Sequence, residues 1–546
     1  MPVVTIRTGS PAHPLDTENK NKLPMSQQEF SRRNFLKQAS LGTTALGASS
    51  PAFASEPSDK ARCGSVWQEP PKQEGNNLNL ILLVSDTFRR DNLECYGSQW
   101  IECPNLNQFA RDSIIFEDAY PEGMPTIPIR RTLWTGRRIL PFHYYHQPEP
   151  VQLPGWHPLY NEDVTLSEVL LAAGYIPALI SDIPHLQRPG RNFHRGYRVN
   201  EWVRGQETDY YGTSPHGHLD VSDIVPKDYL SQIKDLHGFL SQYKANRQRW
   251  QKEGESLVAL VAQAAIRWLK ENHKQKPFFL HVEAFDPHEP WDPPARFLEK
   301  YLPNASGYSW IEPPYAQVKL PEEAKQRMRA NYAAETSCVD FWFGKVLETI
   351  GELTLFDNSV VVFLSDHGAL LGEQEQFLKG PEKLRGQVTH IPLLIRMPAK
   401  QYAGRRVSGF VQIPDLMPSL LSLLGLKAPS RVTGSNFWPL VTGEIRSLHK
   451  SAIQAYGWIA AVRAGEWNYS QIWKAEAYEG QYRPQLYNLT KDPEELTNVA
   501  EKYPDIVRQL SRQLKEYLDS GREITRGSFH EKESLHTGSV YVKGAR

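Results

Sequence analysis

The chain of 546 residues has only four cysteines, Cys63, Cys95, Cys103 and Cys338, and none forms a C-x-x-C pair. So few thiols cannot staple a chain of this length, and their spacing lacks the paired ligands of a structural zinc site. Three disulfide pairings are open and the sequence does not choose among them. Net charge is absent too: 62 Lys+Arg balance 62 Asp+Glu, which excludes a generally basic nucleic-acid binder and an acidic disordered tail. No run approaches the ~18–20 uncharged apolar residues of a membrane-spanning helix. Gly and Pro show no period and there are no internal repeats, which excludes collagen-like and low-complexity readings. What is present, 40% apolar and 11% aromatic residues, suffices for a sizeable core in a loop-rich globular fold.

The N-terminal region reads as an address. Ser31-Arg32-Arg33-Asn34-Phe35-Leu36-Lys37, a weakly apolar run from Ala39 to Ala48, and Ala52-Phe53-Ala54 are the parts of a twin-arginine export signal. The expectation is cleavage after Ala54, export of a folded protein by the twin-arginine machinery, and a periplasmic or secreted location. Met25 gives a more ordinary signal length than Met1.

Residues 55–76 are polar and Pro-containing and read as a linker. Continuous apolar runs then recur at Leu78 to Val84, Ile176 to Ile180, Pro277 to Glu283, Ser359 to Leu364 and Ile391 to Ile395, as in strands covered on both faces. Helical patterns separate them, at Thr165 to Ala173, Glu255 to Asn272, Pro321 to Ile350 and Pro414 to Leu424. This alternation predicts an α/β fold over 77–426, a large, mostly parallel sheet with helices on both faces. Residues 427–520 read as a smaller subdomain, an antiparallel sheet plus one helix from Tyr503 to Leu518, and 521–546 as a polar tail.

In open α/β sheets ligands bind beyond the carboxyl ends of the strands. Those positions hold Asp86 after the first run, Asp286 and His288 after the third, and Asp366-His367 after the fourth. A lone Asp after a strand is usually a helix cap or turn residue. Carboxylates and a His at successive ends of one sheet instead suit a hard or borderline divalent cation.

These residues carry a resemblance. The segment from Leu80 to Gly97 resembles the opening of the sulfatase family in the alkaline phosphatase superfamily. Gly123-Met-Pro-Thr126-Ile-Pro128-Ile-Arg130 through Thr135-Gly136-Arg137 resembles its Cys-x-Pro-Ser-Arg signature and Thr-Gly-Arg turn. Phe285-Asp-Pro-His288-Glu-Pro290, Ser365-Asp366-His367-Gly368 and Lys379-Gly380 are similar to its later motifs, and Pro414-Asp-Leu-Met-Pro and Leu486-Tyr-Asn-Leu-Thr-Lys-Asp-Pro to its closing ones. The resemblance implies metal ligation by Asp86, Asp366 and His367, with Thr126 at the nucleophile position and on the metal. It also implies that Arg130 orients that side chain, while His288 and Lys379 bind the ester oxygens and assist the leaving group. The implied cofactor is a divalent metal (Ca²⁺, Mn²⁺ or Zn²⁺), and the implied substrate a small or carbohydrate-linked anionic ester.

Three positions depart from the family pattern. Sulfatases convert Cys or Ser at the nucleophile position to formylglycine, whose hydrate attacks with one hydroxyl and expels sulfate with the other. Thr126 is not expected to become formylglycine, and its single hydroxyl suits a phospho-threonine intermediate better than a sulfo-threonine. Thr87 stands where many members have a second Asp ligand. Asp182 stands where a substrate-contacting Lys is usual, which leaves two readings of Asp182 and His185: a second cation site, with His194 as a third ligand, or a capped turn with a packed His.

Three functional readings follow: a Thr-dependent hydrolase favouring phosphate or phosphonate esters, a genuine sulfuric ester hydrolase, and a catalytically silent anion-binding protein. The stretch from Pro141 to His157, with Phe142, His143, Trp156 and His157, is either a pocket mouth or a packed loop. Residues 201–250, with Trp202, Tyr210, Tyr211, His216 and His218, read as an insertion over the same face.

Overall fold

The computed structural model describes residues 74–528, apart from 147–153, 189, 208, 213–218, 234–235, 251, 316–317 and 479–480, together with the backbone of 539–541. The export signal, its cleavage site, most of the 55–76 linker, Cys63, His216 and His218 lie outside the described residues.

In chain order the strands that matter are β1 (Asn79–Ser85), β2 (Ile114–Phe116), β3 (Gly123–Met124), β4 (Ile176–Ser181), β5 (Val199–Trp202), β6 (Phe278–Ala284) and β7 (Ser359–Ser365). They continue with β8 (Leu393–Arg396), β9 (Arg406–Val407), β10 (Ala452–Tyr456), β11 (Ile459–Ala464), β12 (Trp467–Ile472) and β13 (Gln485–Asn488). Eight of them form the main sheet, in the order β9-β2-β8-β7-β1-β6-β4-β5. The strands from β7 to β5 are mutually parallel, while β8 runs against both β7 and β2. The sheet is therefore mostly parallel, as the alternating sequence predicts. The apolar run that yields β8 cannot reveal its direction, because burial on both faces erases the alternation that marks many antiparallel strands.

Among the helices, those that matter here are α1 (Thr126–Thr135), α2 (Leu166–Ala172), α3 (Leu257–Asn272), α4 (Glu322–Glu352), α5 (Leu416–Leu423) and α6 (Pro504–Gly521). Successive side chains of β1 divide between two cores, as strand geometry requires. Ile81 and Leu83 pack with Val258, Val261 and Ala265 of α3 and with Met328 and Val339 of α4. Leu80, Leu82 and Val84 pack with Ile127, Ile129 and Leu133 of α1, Leu166 and Val169 of α2, and Leu416 and Leu420 of α5. α2 begins on a capping box, in which Thr165 accepts from the Glu168 N–H and Glu168 accepts from the Thr165 N–H.

The smaller sheet is ordered β13-β12-β11-β10-β3. It is antiparallel from β10 to β13, and β10 pairs in parallel with β3. Leu510, Leu514 and Leu518, four residues apart along α6, close its core against Ile453, Ala455, Val462 and Leu486. Since β3 immediately precedes α1, the smaller sheet anchors the segment that delivers Thr126. Past α6 the chain continues to pack: Thr525 is buried and its hydroxyl lies 2.8 Å from His143 Nε2. Phe142, Trp156 and His157 are buried as well, so the described part of the Pro141-to-His157 stretch packs inward, with Tyr144–His146 forming a short strand antiparallel to Ser539–Tyr541. Among the described residues Cys95, Cys103 and Cys338 are free.

Candidate active site

Ser85 at the end of β1 is in register with Ala284 of β6 and Ser365 of β7. Asp86, Asp286 and Asp366 therefore leave the sheet at one edge. Among the described residues, Asp86, Asp366 and His367 are the one group of three whose ligand atoms all lie within 4.8 Å of one another. His367 Nδ1 lies 3.0 Å from the Gly368 carbonyl, which fixes the proton on Nδ1. Nε2 then presents a bare lone pair, buried and without a partner among the described residues, 3.8 Å from Asp86 Oδ1 and 3.6 Å from Asp366 Oδ2. A neutral imidazole lone pair facing two carboxylate oxygens is left unsatisfied by protein alone and is satisfied by a cation. Burial pushes His367 down to about 4, so the ring is in its ligating form at neutral pH. Burial and the neighbouring Asp366 push Asp86 up. Burial would also raise Asp366, but the charge of Arg130 and the hydrogen bond from the Thr87 N–H outweigh it and hold Asp366 low. The set of two carboxylates and one imidazole suits Ca²⁺, Mn²⁺ or Zn²⁺.

Thr87 ties the two carboxylates together: its N–H donates to Asp366 Oδ1 at 2.9 Å and its hydroxyl to Asp86 Oδ1 at 2.8 Å. It does so at φ +62°, in the left-handed region, where a β-branched residue stores roughly 1–3 kcal/mol of strain.

Thr126 is the first residue of α1 and is 2% exposed. Arg130 follows one helical turn later on the same face. Its wholly buried guanidinium meets three carboxylates: Nε donates to Glu283 at 2.6 Å, Nη2 to Asp86 at 3.0 Å, and Nη1 to Asp366. Nη1 also reaches the Thr126 carbonyl at 3.3 Å, so one side chain links the start of α1 to the carboxylate pair. α1 is fixed at its other end by Asp163, which takes Arg131 at 2.8 Å and also Arg137.

His288 and Lys379 form a second group. Lys379 Nζ donates to His288 Nε2 at 2.8 Å and to Glu289 Oε1 at 3.0 Å. His288 Nδ1 faces its acceptor, the Glu289 carbonyl, at 2.7 Å, and the ring stacks on Phe285 with centroids 3.9 Å apart. Burial pushes His288 down to about 3, so the ring is neutral and its Nε2 accepts from Lys379. The Lys379 charge acts on Asp86 and His367, which ties this group to the first.

Asp182 and His185 take other partners. Asp182 Oδ1 accepts the Phe285 N–H at 2.7 Å, and its Oδ2 is buried without a partner among the described residues. His185 Nε2 lies 3.1 Å from Glu207 Oε2, with its ring edge-on to Trp156 at 5.0 Å. His194 is exposed. Sequence reasoning missed Glu283, Glu289 and Glu207. Glu283 carried a readable signal, a carboxylate inside a strand otherwise buried among apolar residues. The others acquire meaning only once the fold brings their loops together.

The family's sequence model, described as Sulfatase, matches residues 78–426, a span that contains both groups. The chain belongs to the sulfatase family. A second model, described as N-sulphoglucosamine sulphohydrolase, C-terminal, matches residues 383–520 of this sulfatase-family chain. It is 25% identical over 468 residues to arylsulfatase K of Homo sapiens, covering 80% of this chain and 81% of the relative. It is 24% identical over 522 residues to N-acetylgalactosamine-6-O-sulfatase of Bacteroides thetaiotaomicron, covering 83% and 95%. Among solved structures, the phosphonate monoester hydrolase of Agrobacterium radiobacter shares the fold with a TM-score of 0.62 at 21% identity, covering 85% of this chain and 100% of that one. Membership of this family makes the chain a hydrolase of ester bonds.

Proposed function

We propose that this chain is a divalent-metal-dependent hydrolase that cleaves phosphate or phosphonate esters with Thr126 as nucleophile. The observation that carries the reading is the unpartnered His367 Nε2 facing Asp86 and Asp366, joined through Arg130 to the helix that begins at Thr126. Asp86, Asp366 and His367 would hold the cation, which would supply Lewis-acid charge to the anionic ester. Arg130 fixes the Thr126 backbone, and the positive end of α1 favours the anion there. Lys379, which donates to His288 Nε2 in this structure, is the donor for the departing oxygen. In the first step the Thr126 oxygen bonds to phosphorus and the bond to the leaving oxygen breaks with its electron pair. The proton lost by Thr126 is balanced by the one the alcohol gains. Water then cleaves the phospho-threonine, restoring Thr126 and releasing the acid. A single hydroxyl suffices for this sequence, whereas the formylglycine route needs two.

A second reading, sulfuric ester hydrolysis, is favoured by the names of the sequence relatives, which are sulfatases. The experiment is turnover of p-nitrophenyl sulfate, phosphate monoester, phosphate diester and phosphonate, with Ca²⁺, Mn²⁺ and Zn²⁺ supplied separately, by wild type and Thr126→Ala. Phosphorus-ester hydrolysis that needs metal and disappears in the mutant is the expected result. Hydrolysis of sulfate alone transfers the conclusion to the second reading, and silence on all four in a metal-loaded protein favours an anion-binding protein. We also propose twin-arginine export to the periplasm or outside, tested by Arg32→Lys with Arg33→Lys: the precursor should accumulate in the cytoplasm.

A further inference from the structure

β6 carries two polar side chains on the face that meets α1. Its Leu280, Val282 and Ala284 belong to the core beneath α3 and α4, so Phe279, His281 and Glu283 point the opposite way, into the layer where α1 packs. Along α1, Arg130 and Trp134 stand one turn apart on a single stripe. Arg130 meets Glu283, and the Trp134 ring packs on the His281 ring with centroids 4.7 Å apart. Helix and strand are therefore matched in register, Arg130 against Glu283 and Trp134 against His281. Both His281 and Glu283 are buried.

Glu283 gives only one oxygen, Oε1, to Arg130. Its Oε2 and the His281 Nε2 are each buried without a hydrogen bond among the described residues, and they lie 3.6 Å from one another. That separation is just beyond a hydrogen bond, and a small turn of the carboxylate about its soft terminal torsion closes it. The other ring nitrogen, Nδ1, lies 2.9 Å from the Tyr197 hydroxyl. Burial and the Arg130 charge push His281 down to about 3, so the ring is neutral and carries one proton, on Nδ1 or on Nε2. Burial raises Glu283 and Arg130 opposes this; the 2.6 Å bond to a guanidinium is that of a carboxylate. A proton on Nδ1 would turn the Nε2 lone pair towards that carboxylate and leave both groups unsatisfied. With the proton on Nε2, Tyr197 donates to Nδ1 and the ring donates towards Glu283, so every buried group has a partner.

We infer that His281 is a positioning residue: Tyr197 fixes it as the Nε2–H tautomer, and that N–H holds the second oxygen of Glu283 and, through Glu283, the angle at which Arg130 meets Asp86, Asp366 and the start of α1. The kinetic consequence rests on the hydrolase reading, whereas the tautomer does not. Nitrogen-15 NMR of histidine-labelled protein reads the tautomer, with the His281→Gln spectrum identifying the signal. The expected result is a proton on Nε2 in wild type and a mixture in Tyr197→Phe. A wild-type proton on Nδ1, or a tautomer indifferent to Tyr197→Phe, overturns the inference whether or not any ester is hydrolysed. In turnover of a p-nitrophenyl ester, His281→Leu fills the space without a donor, while the side-chain amide of His281→Gln brings an N–H back towards Glu283. His281→Leu should lower kcat by about 10–100-fold, the range for outer partners that orient a site's groups, with KM little changed. His281→Gln should recover most of the loss. A packing role alone would favour Leu, the apolar substitute, in so buried a place, so Leu and Gln variants of equal kcat would overturn the inference. Should no ester turn over even in wild type, the hydrolase reading fails and the tautomer alone decides.

Discussion

Arg130 donates through Nε to Glu283 at 2.6 Å, and both side chains are wholly buried. Glu283 stands opposite Val84 in the sheet, on the rigid centre of the fold, whereas Arg130 rides on α1. The pair therefore transfers the precision of the sheet to the helix that carries Thr126. It also leaves Nη1 and Nη2 free for Asp366 and Asp86.

Glu283→Gln keeps the shape but removes the charge that holds Arg130. Breaking one member of a buried ion pair typically costs about 3–5 kcal/mol, here shared with two other carboxylates. The expected result is a folded protein with a lowered melting temperature and kcat reduced by about 10²–10³, the scale of a misplaced electrostatic group. KM should move far less, which steady-state kinetics on a p-nitrophenyl ester will read. Glu283→Asp should fall between the two.

Asp163 is one carboxylate holding two arginines, Arg131 of α1 and Arg137 of the turn that follows it. Arg137 also donates to the Ile524 and Arg526 carbonyls at 2.7 and 3.2 Å. Asp163→Asn leaves Arg131 and Arg137 buried without their counter-charge, a loss of roughly 3–5 kcal/mol. The measurement is the denaturant midpoint, expected to fall sharply with no change in the slope of the transition.

Five central strands of the main sheet, β1, β4, β6, β7 and β8, were legible as largely apolar runs, whereas β2, β5 and β9 are short, with β5 and β9 carrying charged residues, and left no such run; α3, α4 and α6 were legible because their apolar residues recur at helical spacing. Asp86, Asp366 and His367 were legible for a simpler reason: each immediately follows a strand, so its place at the sheet edge depends on one local boundary. Glu207 was not legible. It sits in a long irregular segment whose path depends on which surface it packs against, and no local pattern encodes that. The direction of β8 was hidden for a related reason, since strand polarity is set by the connections rather than by the composition of the strand.

His449 and Asp415 link the smaller sheet region to the start of α5 through a 2.8 Å ion pair. Burial alone would lower His449, but the hydrogen bond and charge of Asp415 outweigh it and raise its pKa above the ordinary 6.5. A His raised on folding binds its proton more tightly in the native state. The pair's stabilisation is therefore complete below about pH 6.5 and is lost as the pH rises through the native value. Urea midpoints of wild type minus those of His449→Gln, measured between pH 5.5 and 8.5, should shrink as pH increases (roughly that window brackets the titration of a His). A difference that grows with pH would contradict the pairing.

The buried lone pair of His367 predicts a dependence on metal that can be read without turnover. Prolonged dialysis against a chelator should lower the melting temperature, and adding back Ca²⁺, Mn²⁺ or Zn²⁺ should restore it, because a ligand that binds only the native state stabilises it by mass action. His367→Ala should weaken binding of the restoring ion by more than the ~10–100-fold typical of outer-shell partners, since it removes a direct ligand. Asp182→Asn provides the contrast. Its carboxylate receives the Phe285 N–H and lies outside the three-ligand group, so the metal content of the purified protein should be unchanged. Loss of one equivalent in that variant would mean that Asp182 and His185 hold a second cation, and the site would then have to be redrawn with two ions.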